Sequence, residues 1–196
     1  MSWMPTWIRQ VSASTKSSNC VAIAALSAGL RRERICQYYF DLMTPVGSAA
    51  HASLVADEVG YRRNRGELLI SLPLFALVGV EQETLAAPSY ISSRTQALMG
   101  LQGRQHRERW SVLDSVYSFE RPRPYLHLSA LTVMRPFRGR GYAGRWLDDL
   151  DPRGQSVFLE TATPANRSLY ERHGFRVVEE RALPPTWTLW SMVREP

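Results

Sequence analysis

The pattern of apolar and polar residues is clearest beyond residue 125. Tyr125 to Val133 is rich in apolar residues and predicts a strand, and a second strand is predicted from Ser156 to Thr161. Between them a glycine-rich loop leads into a short helix, from about Ala143 to Leu150, that is ended by Pro152. This part of the chain therefore predicts a strand, a loop, a helix and a strand in close succession.

A second helix follows, and its boundaries carry complete local signals. Thr163 is the predicted N-cap, Pro164 is the first helical residue, and the helix ends near His173 because Gly174 follows. Two closing strands are predicted after it, and they cover Phe175–Glu179 and Trp187–Val193.

Before residue 125 the periodicity is weaker. We predict a strand from Trp7 to Val11 and then a helix that is capped by Ser18 or Asn19 and ends near Leu30. A helix, a loop, two strands and a long polar helix, broken near 100–103, are predicted next, over Arg34–Met43, Pro45–Ala50, Glu67–Leu72, Leu74–Val80 and Ser92–Tyr117. No motif with chemical content lies between residues 31 and 88.

Composition favours one globular domain over residues 1–196, because 44% of the residues are apolar and 21% are charged. The longest nearly apolar run, Cys20–Leu30, falls short of the ~20 residues that a membrane span needs. The sequence Arg31–Arg34 follows it in place of a small-residue cleavage site, so we do not expect export. Cys20 and Cys36 cannot build a disulfide framework, and we therefore predict a cytoplasmic protein.

Basic residues outnumber acidic ones and give a net charge of +6. Of the 24 basic residues, Lys16 is the only lysine and the others are arginines. A basic surface attracts anions such as a phosphorylated cofactor, a nucleic acid or a membrane. Charge alone does not choose among these partners. A basic nucleic-acid-binding protein is thus one alternative, and it would bind DNA with strong salt dependence.

The loop from Arg138 to Gly144 has the features of an anion site. Its glycines permit positive φ and close approach of a ligand to the main chain. It opens a helix, so free amide groups and the helix dipole both favour a negative group. Arg138 and Arg140 add positive charge. A phosphate or diphosphate is the expected ligand.

Two kinds of phosphate site fit this loop. Gly139, Gly141 and Gly144 satisfy the G-x-G-x-x-G pattern of an NAD-binding doubly wound domain, and Glu160 stands where a ribose-binding acid is wanted. In such a domain, however, the first glycine directly follows the strand, whereas residues 134–138 intervene here. The dinucleotide site is therefore the more distant alternative.

The other possibility is a resemblance to a family. The sequence from Val133 through Pro136, Arg138, Gly139 and Gly141 to Ala143 resembles the acetyl-CoA loop of the GNAT N-acetyltransferases. The similarity continues through Phe158–Thr161, Asn166, Leu169–Phe175 and Leu189–Arg194. It is strong over about 125–195 and faint over Trp7–Leu30. It implies an α+β fold with a mixed, mostly antiparallel central sheet flanked by helices.

The resemblance also implies a set of cofactor contacts. The loop would hold the diphosphate of acetyl-CoA, the end of the preceding strand would bond the pantetheine arm, and Asn166 would face that arm. The implied cofactor-binding residues are Leu131, Thr132, Val133, Arg138, Gly139, Arg140, Gly141, Tyr142, Ala143, Gly144 and Asn166. No metal site is expected. The loop helix is short for the family because Pro152 arrives early, which affects the adenosine end of the cofactor.

Transfer to an amine requires a base for the ammonium and an acid for the leaving thiolate. Tyr170 matches the general-acid tyrosine of the family, and a phenol pKa near 10 is close enough to a thiol pKa of about 8.5 for that task. For the base, His127 and Glu160 are both candidates, and a water chain is a third route. We expect Tyr125, His127, Ser129, Leu131 and Val133 to point the same way along their strand.

The implied function is transfer of an acetyl group from acetyl-CoA to the amine of a small molecule. The main alternative is a protein that keeps the fold and binds acetyl-CoA without turnover. Neither function calls for a specific nucleic acid or a membrane. A monomer or a homodimer is expected.

Overall fold

The computed structural model describes residues 16–64, 68–71, 73–81, 91–104, 108–109, 125–152, 154–183 and 186–196. The predicted strand Trp7–Val11 lies outside these ranges. The helices are α1 (Lys16–Leu30), α2 (Arg34–Tyr39), α3 (Pro45–Asn64), α4 (Ser93–Gly100), α5 (Tyr142–Asp149) and α6 (Pro164–Arg172). The strands are β1 (Leu68–Ser71), β2 (Leu74–Glu81), β3 (Tyr125–Val133), β4 (Ser156–Thr161), β5 (Arg176–Leu183) and β6 (Trp187–Arg194).

The strands form one sheet in the order β1-β2-β3-β4-β6-β5. The pair β3–β4 is parallel, whereas all the other neighbouring strands are antiparallel. This arrangement confirms the predicted α+β fold with a mixed, mostly antiparallel sheet flanked by helices. It also excludes the doubly wound sheet of an NAD-binding domain, because that sheet is built of parallel strands.

The prediction of a loop at residues 45–50 is wrong, because these residues begin the 20-residue helix α3. Pro45 occupies the first helical position, where its missing amide costs nothing. The Oγ1 of Thr44 accepts a hydrogen bond from the amide of Gly47 and so caps the helix start. The helix predicted from Ser92 is interrupted where expected, because α4 ends at Gly100 and Gly103 has a φ of +88°. Residues 105–107 and 110–117 of that prediction lie outside the described ranges.

Each face of the sheet packs against different helices. On one face, Leu126, Leu128 and Leu159 pack with residues of α5 and α6, including Trp146 and Tyr170. The other face packs on α1 and α3 through residues such as Phe75, Leu77, Leu26, Val55 and Val59. We call these the α5–α6 face and the α1–α3 face.

Cys20 on α1 is exposed and Cys36 on α2 is half-buried, and neither forms a disulfide. Within the described ranges, every helix is too short or too polar to cross a bilayer.

Candidate functional site

The two parallel strands lie side by side only where they begin. Pairing joins Tyr125–His127 to Ser156–Phe158, although β3 continues to Val133 and β4 to Thr161. The strands therefore diverge, and in the described part of the chain no other strand enters the gap between Leu128–Val133 and Leu159–Thr161. We call this gap the cleft. Its walls are strand edges, whose backbone groups can bond an extended ligand.

A bulge in β3 sets the direction of the side chains along the cleft. Leu77 pairs with Ala130 and Val78 pairs with Leu128, so Ser129 is an extra residue opposite β2. Its hydroxyl lies 3.3 Å from the carbonyl oxygen of Leu77 and donates to it. The extra residue reverses the alternation of side chains beyond it.

The predicted common direction of residues 125, 127, 129, 131 and 133 is therefore wrong. Leu131 and Val133 pack on the α5–α6 face, as Leu126 and Leu128 do. His127 lies between Leu126 and Leu128 in the strand, so its side chain points to the opposite face of the sheet.

The glycine loop ends at α5 with its amide groups unused. Gly139 and Gly141 both have a φ of +76°, and Gly141 is the N-cap of α5 without a side-chain cap. The first helical bond runs from the amide of Arg145 to the carbonyl of Gly141. In the parts of the chain that the structure describes, the amides of residues 139–144 donate to no protein acceptor. Such a row of free donors at a helix start suits an anion.

Aromatic rings hold Arg140 of the loop and Arg145 of α5 in place. The Arg140 guanidinium lies 5.6 Å from the ring centre of Phe137, and that of Arg145 lies 4.8 Å from the ring of Tyr142. These cation–π contacts restrict the side chains while leaving the guanidinium donors available. Positive charge therefore surrounds the free amides.

The first turn of α5 also packs closely against the end of α6. A Cβ added to Gly144 would lie 2.8 Å from Nε2 of His173, so only glycine leaves room for this ring. The Nδ1 of His173 is 2.6 Å from Oδ1 of Asp148, also on α5. The loop helix is thus fixed relative to α6, which carries Asn166 and Tyr170.

The corner between α1 and α2 brings a carboxylate to this end of the sheet. Glu33 accepts hydrogen bonds from the hydroxyls of Thr161 (3.3 Å) and Thr163 (3.0 Å) at the end of β4. Its other oxygen accepts a bond from Nδ2 of Asn166, so this predicted cofactor residue is bound to Glu33. Burial raises the pKa of Glu33, and the hydrogen bonds lower it by less.

Tyr170 is buried on the α5–α6 face, with its ring centre 5.7 Å from that of Phe175. Burial raises its pKa, and the negative charge of nearby Glu33 raises it further, so the phenol stays protonated at neutral pH. In the described ranges its hydroxyl has no hydrogen-bond partner. It is therefore available to a ligand.

His127 and Glu160 lie together, but across the sheet from Tyr170. The His127 Nε2 is 3.6 Å from Oε2 of Glu160, and both side chains are nine-tenths buried. Phe158 lies beside the imidazole, with the two ring centres 5.7 Å apart. Because the cleft separates β3 from β4, a ligand in it would have Tyr170 on one side and this pair on the other.

Solved structures similar to this chain include acetyltransferases and a condensation domain. The histone acetyltransferase HPA2 and related acetyltransferase from Corynebacterium glutamicum has a TM-score of 0.64 at 14% identity, with 93% of each chain covered. Arylalkylamine N-acetyltransferase 2 from Aedes aegypti has a TM-score of 0.55 at 15% identity, covering 93% of this chain and 97% of its own. The C-terminal condensation domain of Ebony, in complex with beta-alanyl-dopamine, has a TM-score of 0.60 at 9% identity, covering 93% and 96%. This chain has the GNAT acetyltransferase fold.

No protein-family model matches the sequence, and no curated protein does. The GNAT similarity therefore rests on the path of the backbone and on the motifs around the loop.

Within the GNAT fold, the structure adds one residue that the sequence did not single out. The loop precedes α5, and both Asn166 and Tyr170 lie on α6 near the end of β4, as the motif order predicts. Glu33 joins them from the α1–α2 corner, more than a hundred residues away in the chain. Its surroundings in sequence, Arg31–Arg34, suggest only a charged surface, so no local signal marks it.

Proposed function

We propose that this protein transfers an acetyl group from acetyl-CoA to the amine of a small molecule. The observation that carries the proposal is the cleft between β3 and β4, next to a loop whose free amides and arginines suit a diphosphate. A pantetheine arm can bond to the edge of β3 at Leu131–Val133 as an added strand would. The similar structures support this proposal, since they include an agmatine N-acetyltransferase and an arylalkylamine N-acetyltransferase.

The donor would be held by the residues predicted for it. Arg138, Gly139, Arg140, Gly141, Tyr142, Ala143 and Gly144 would enclose the diphosphate, and Leu131, Thr132 and Val133 would bond the arm through their backbone. Asn166 would face the pantetheine arm, but its Nδ2 already donates to Glu33, so only the rest of its amide group would be available to the donor. The thioester supplies the activated acyl group, and the residues of the protein supply its position and the proton transfers.

The chemistry needs an acid and a base near the thioester. The amine nitrogen attacks the carbonyl carbon, the C–S bond breaks, and the thiolate takes a proton from Tyr170. We infer that Glu33 accepts the proton lost by the amine, because it is a half-buried carboxylate whose raised pKa makes it a stronger base. His127 with Glu160 remains the proposed alternative relay from the α1–α3 face.

The protonation state of Glu33 also affects the pKa of Tyr170, in a direction that assists the reaction. The negative charge of Glu33 is one cause of the raised Tyr170 pKa. When Glu33 takes up a proton this charge disappears, and the pKa of Tyr170 falls towards that of the leaving thiol. Deprotonation of the amine thus makes the phenol a better acid for the following step.

The test is release of CoA from acetyl-CoA in the presence of a panel of small amines. Tyr170→Phe and Glu33→Gln should each lower kcat by about 10²–10⁴-fold, the usual contribution of a positioned acid or base. Tyr61→Phe, near the end of α3 and outside the proposed set of site residues, is the matched control and should retain wild-type activity. If His127→Phe and Glu160→Gln lower kcat while Glu33→Gln does not, the alternative relay through His127 and Glu160 is favoured.

Two outcomes would count against the proposal. If no amine stimulates CoA release while calorimetry shows CoA binding, the protein is a binder without turnover. If Tyr170→Phe turns over at the wild-type rate, the phenol is not the acid.

A further inference from the structure

Five arginines near the glycine loop are left without acidic partners. In the described part of the chain, no carboxylate lies within ion-pair distance of Arg32, Arg135, Arg138, Arg140 or Arg145. Some arginines elsewhere do have acidic partners. Arg167, for example, lies 2.8 Å from Glu171 and 3.2 Å from Glu180. The region of the glycine loop therefore carries positive charge that no described carboxylate compensates.

Four of these arginines belong to the loop region and its helix, but Arg32 comes from the α1–α2 corner. The last turn of α1 lies directly on the end of β3, since a Cβ added to Gly29 would be 2.0 Å from Oγ1 of Thr132. The amide of Arg32 donates to the carbonyl of Gly29, which keeps the corner at this place. The Nε of Arg138 donates to the carbonyl of Val133, the next residue of β3, at 2.8 Å.

Gly29, three residues before Arg32, thus lies against Thr132, and Arg138 bonds to the adjacent Val133. Burial lowers the pKa of Arg138, and the charges of Arg32 and Arg135 lower it further. Like charges near one another repel, and an anion bound among them relieves that repulsion. The arrangement is therefore more favourable with a bound anion.

We propose that Arg32 is a phosphate-binding residue that holds the donor diphosphate from outside the glycine loop, so that the enzyme selects donors with a diphosphate over short thioesters. This inference rests on the proposed function, because it concerns the donor of the same site. It adds a binding residue from an element that the loop motif does not include. Tight binding of the donor would then require its charged diphosphate as well as its pantetheine arm.

The position of Arg32 also connects the donor to the acyl-transfer site. Arg32 and Glu33 are consecutive residues of the same corner, and Glu33 bonds to Thr163 and Asn166. A diphosphate bound by Arg32 holds the corner in the place that these bonds require. Arg32 is thus a positioning residue for Glu33 as well as a donor-binding residue.

The experiment compares Arg32→Gln with Arg34→Gln, which removes an exposed arginine from the same corner. Calorimetry with CoA and with pantetheine measures binding, and acetyl-CoA and acetyl-pantetheine serve as donors for turnover. Arg32→Gln should weaken CoA binding about tenfold, the effect expected for one charge-assisted contact, whereas Arg34→Gln should not. Pantetheine binding should be the same in all three proteins. Arg32→Lys should recover part of the CoA affinity because it restores the charge.

Three results would overturn the inference. Unchanged CoA affinity in Arg32→Gln would show that Arg32 does not contact the diphosphate. An equal loss in Arg34→Gln shows a general effect of net charge, and an equal loss of pantetheine binding shows that the corner itself is disturbed. Binding and turnover separate this inference from the proposed function: a wild type that binds CoA without transferring acetyl groups refutes the function, while the Arg32 comparison still decides the phosphate contact.

Discussion

A buried histidine on α3 should make the stability of this protein depend on pH. His51 is only 2% exposed and its ring lies against Phe40, with ring centres 5.3 Å apart. Burial lowers its pKa from 6.5 to about 4, and the charge of Arg31 contributes to the shift. The guanidinium of Arg31 is held nearby through bonds to Oγ of Ser48 (3.0 Å) and to the carbonyl of Leu42 (2.8 Å).

The sign follows from proton binding. Below pH 6.5 the unfolded chain protonates His51 while the native protein keeps it neutral, so stability falls as the pH falls towards 4. The loss from this one group is about 2 kcal/mol at pH 5 and about 3 kcal/mol at pH 4, relative to neutral pH. Below pH 4 the native histidine also charges, and the loss levels off.

The assay is urea unfolding at several pH values between 4 and 7, with wild type and His51→Phe. The variant keeps an aromatic ring against Phe40 but cannot titrate, so its stability should decline less by the amounts given above. Arg31→Gln should lie between the two, because it removes the smaller cause of the shift and lets the pKa of His51 rise. If wild type and His51→Phe lose stability in parallel, His51 is not the titrating group.

Three further predictions concern single positions. Gly141→Val should abolish CoA binding in calorimetry, because a φ of +76° costs an L-residue roughly 1–2 kcal/mol and its side chain intrudes on the anion site; unchanged affinity would contradict this. Asp57→Ala should destabilise the protein by about 1–3 kcal/mol in urea, since its carboxylate accepts a 2.6 Å bond from the buried hydroxyl of Thr95; a change below the experimental error would reject that role. Gly29→Ala should cost about 1–3 kcal/mol, because its Cβ would collide with Thr132; a melting temperature equal to wild type would show that α1 can shift freely.

Local signals in the sequence were sufficient where the structure depends on adjacent residues. The start of α6 follows from Thr163 and Pro164, and its end from Gly174, because turns and helix ends are decided within a few residues. The two glycines with positive φ were also visible in advance, since they belong to the loop pattern itself. The same local evidence missed α3, where Thr44 and Pro45 form a helix start that the surrounding polar sequence obscured.

The shape of the cleft depended on contacts between distant residues. One extra residue, Ser129, is recognisable only when β3 is paired with β2, yet it reverses the faces of Leu131 and Val133. Strand pairing is a property of two segments, so the alternation within one strand could not show it.

By itself, the sequence determined the order of the elements beyond residue 125, the glycine loop with its arginines, and the positions of Asn166 and Tyr170 on one helix. The tertiary structure decided where β3 and β4 separate and which groups meet there. Glu33 reaches Asn166, and Arg32 comes near Arg138, only because the last turn of α1 packs on the end of β3 through Gly29. Helix ends and turns are specified by residues that are neighbours in the chain. Contacts such as that between Glu33 and Asn166 are specified by packing between elements that are far apart in the sequence.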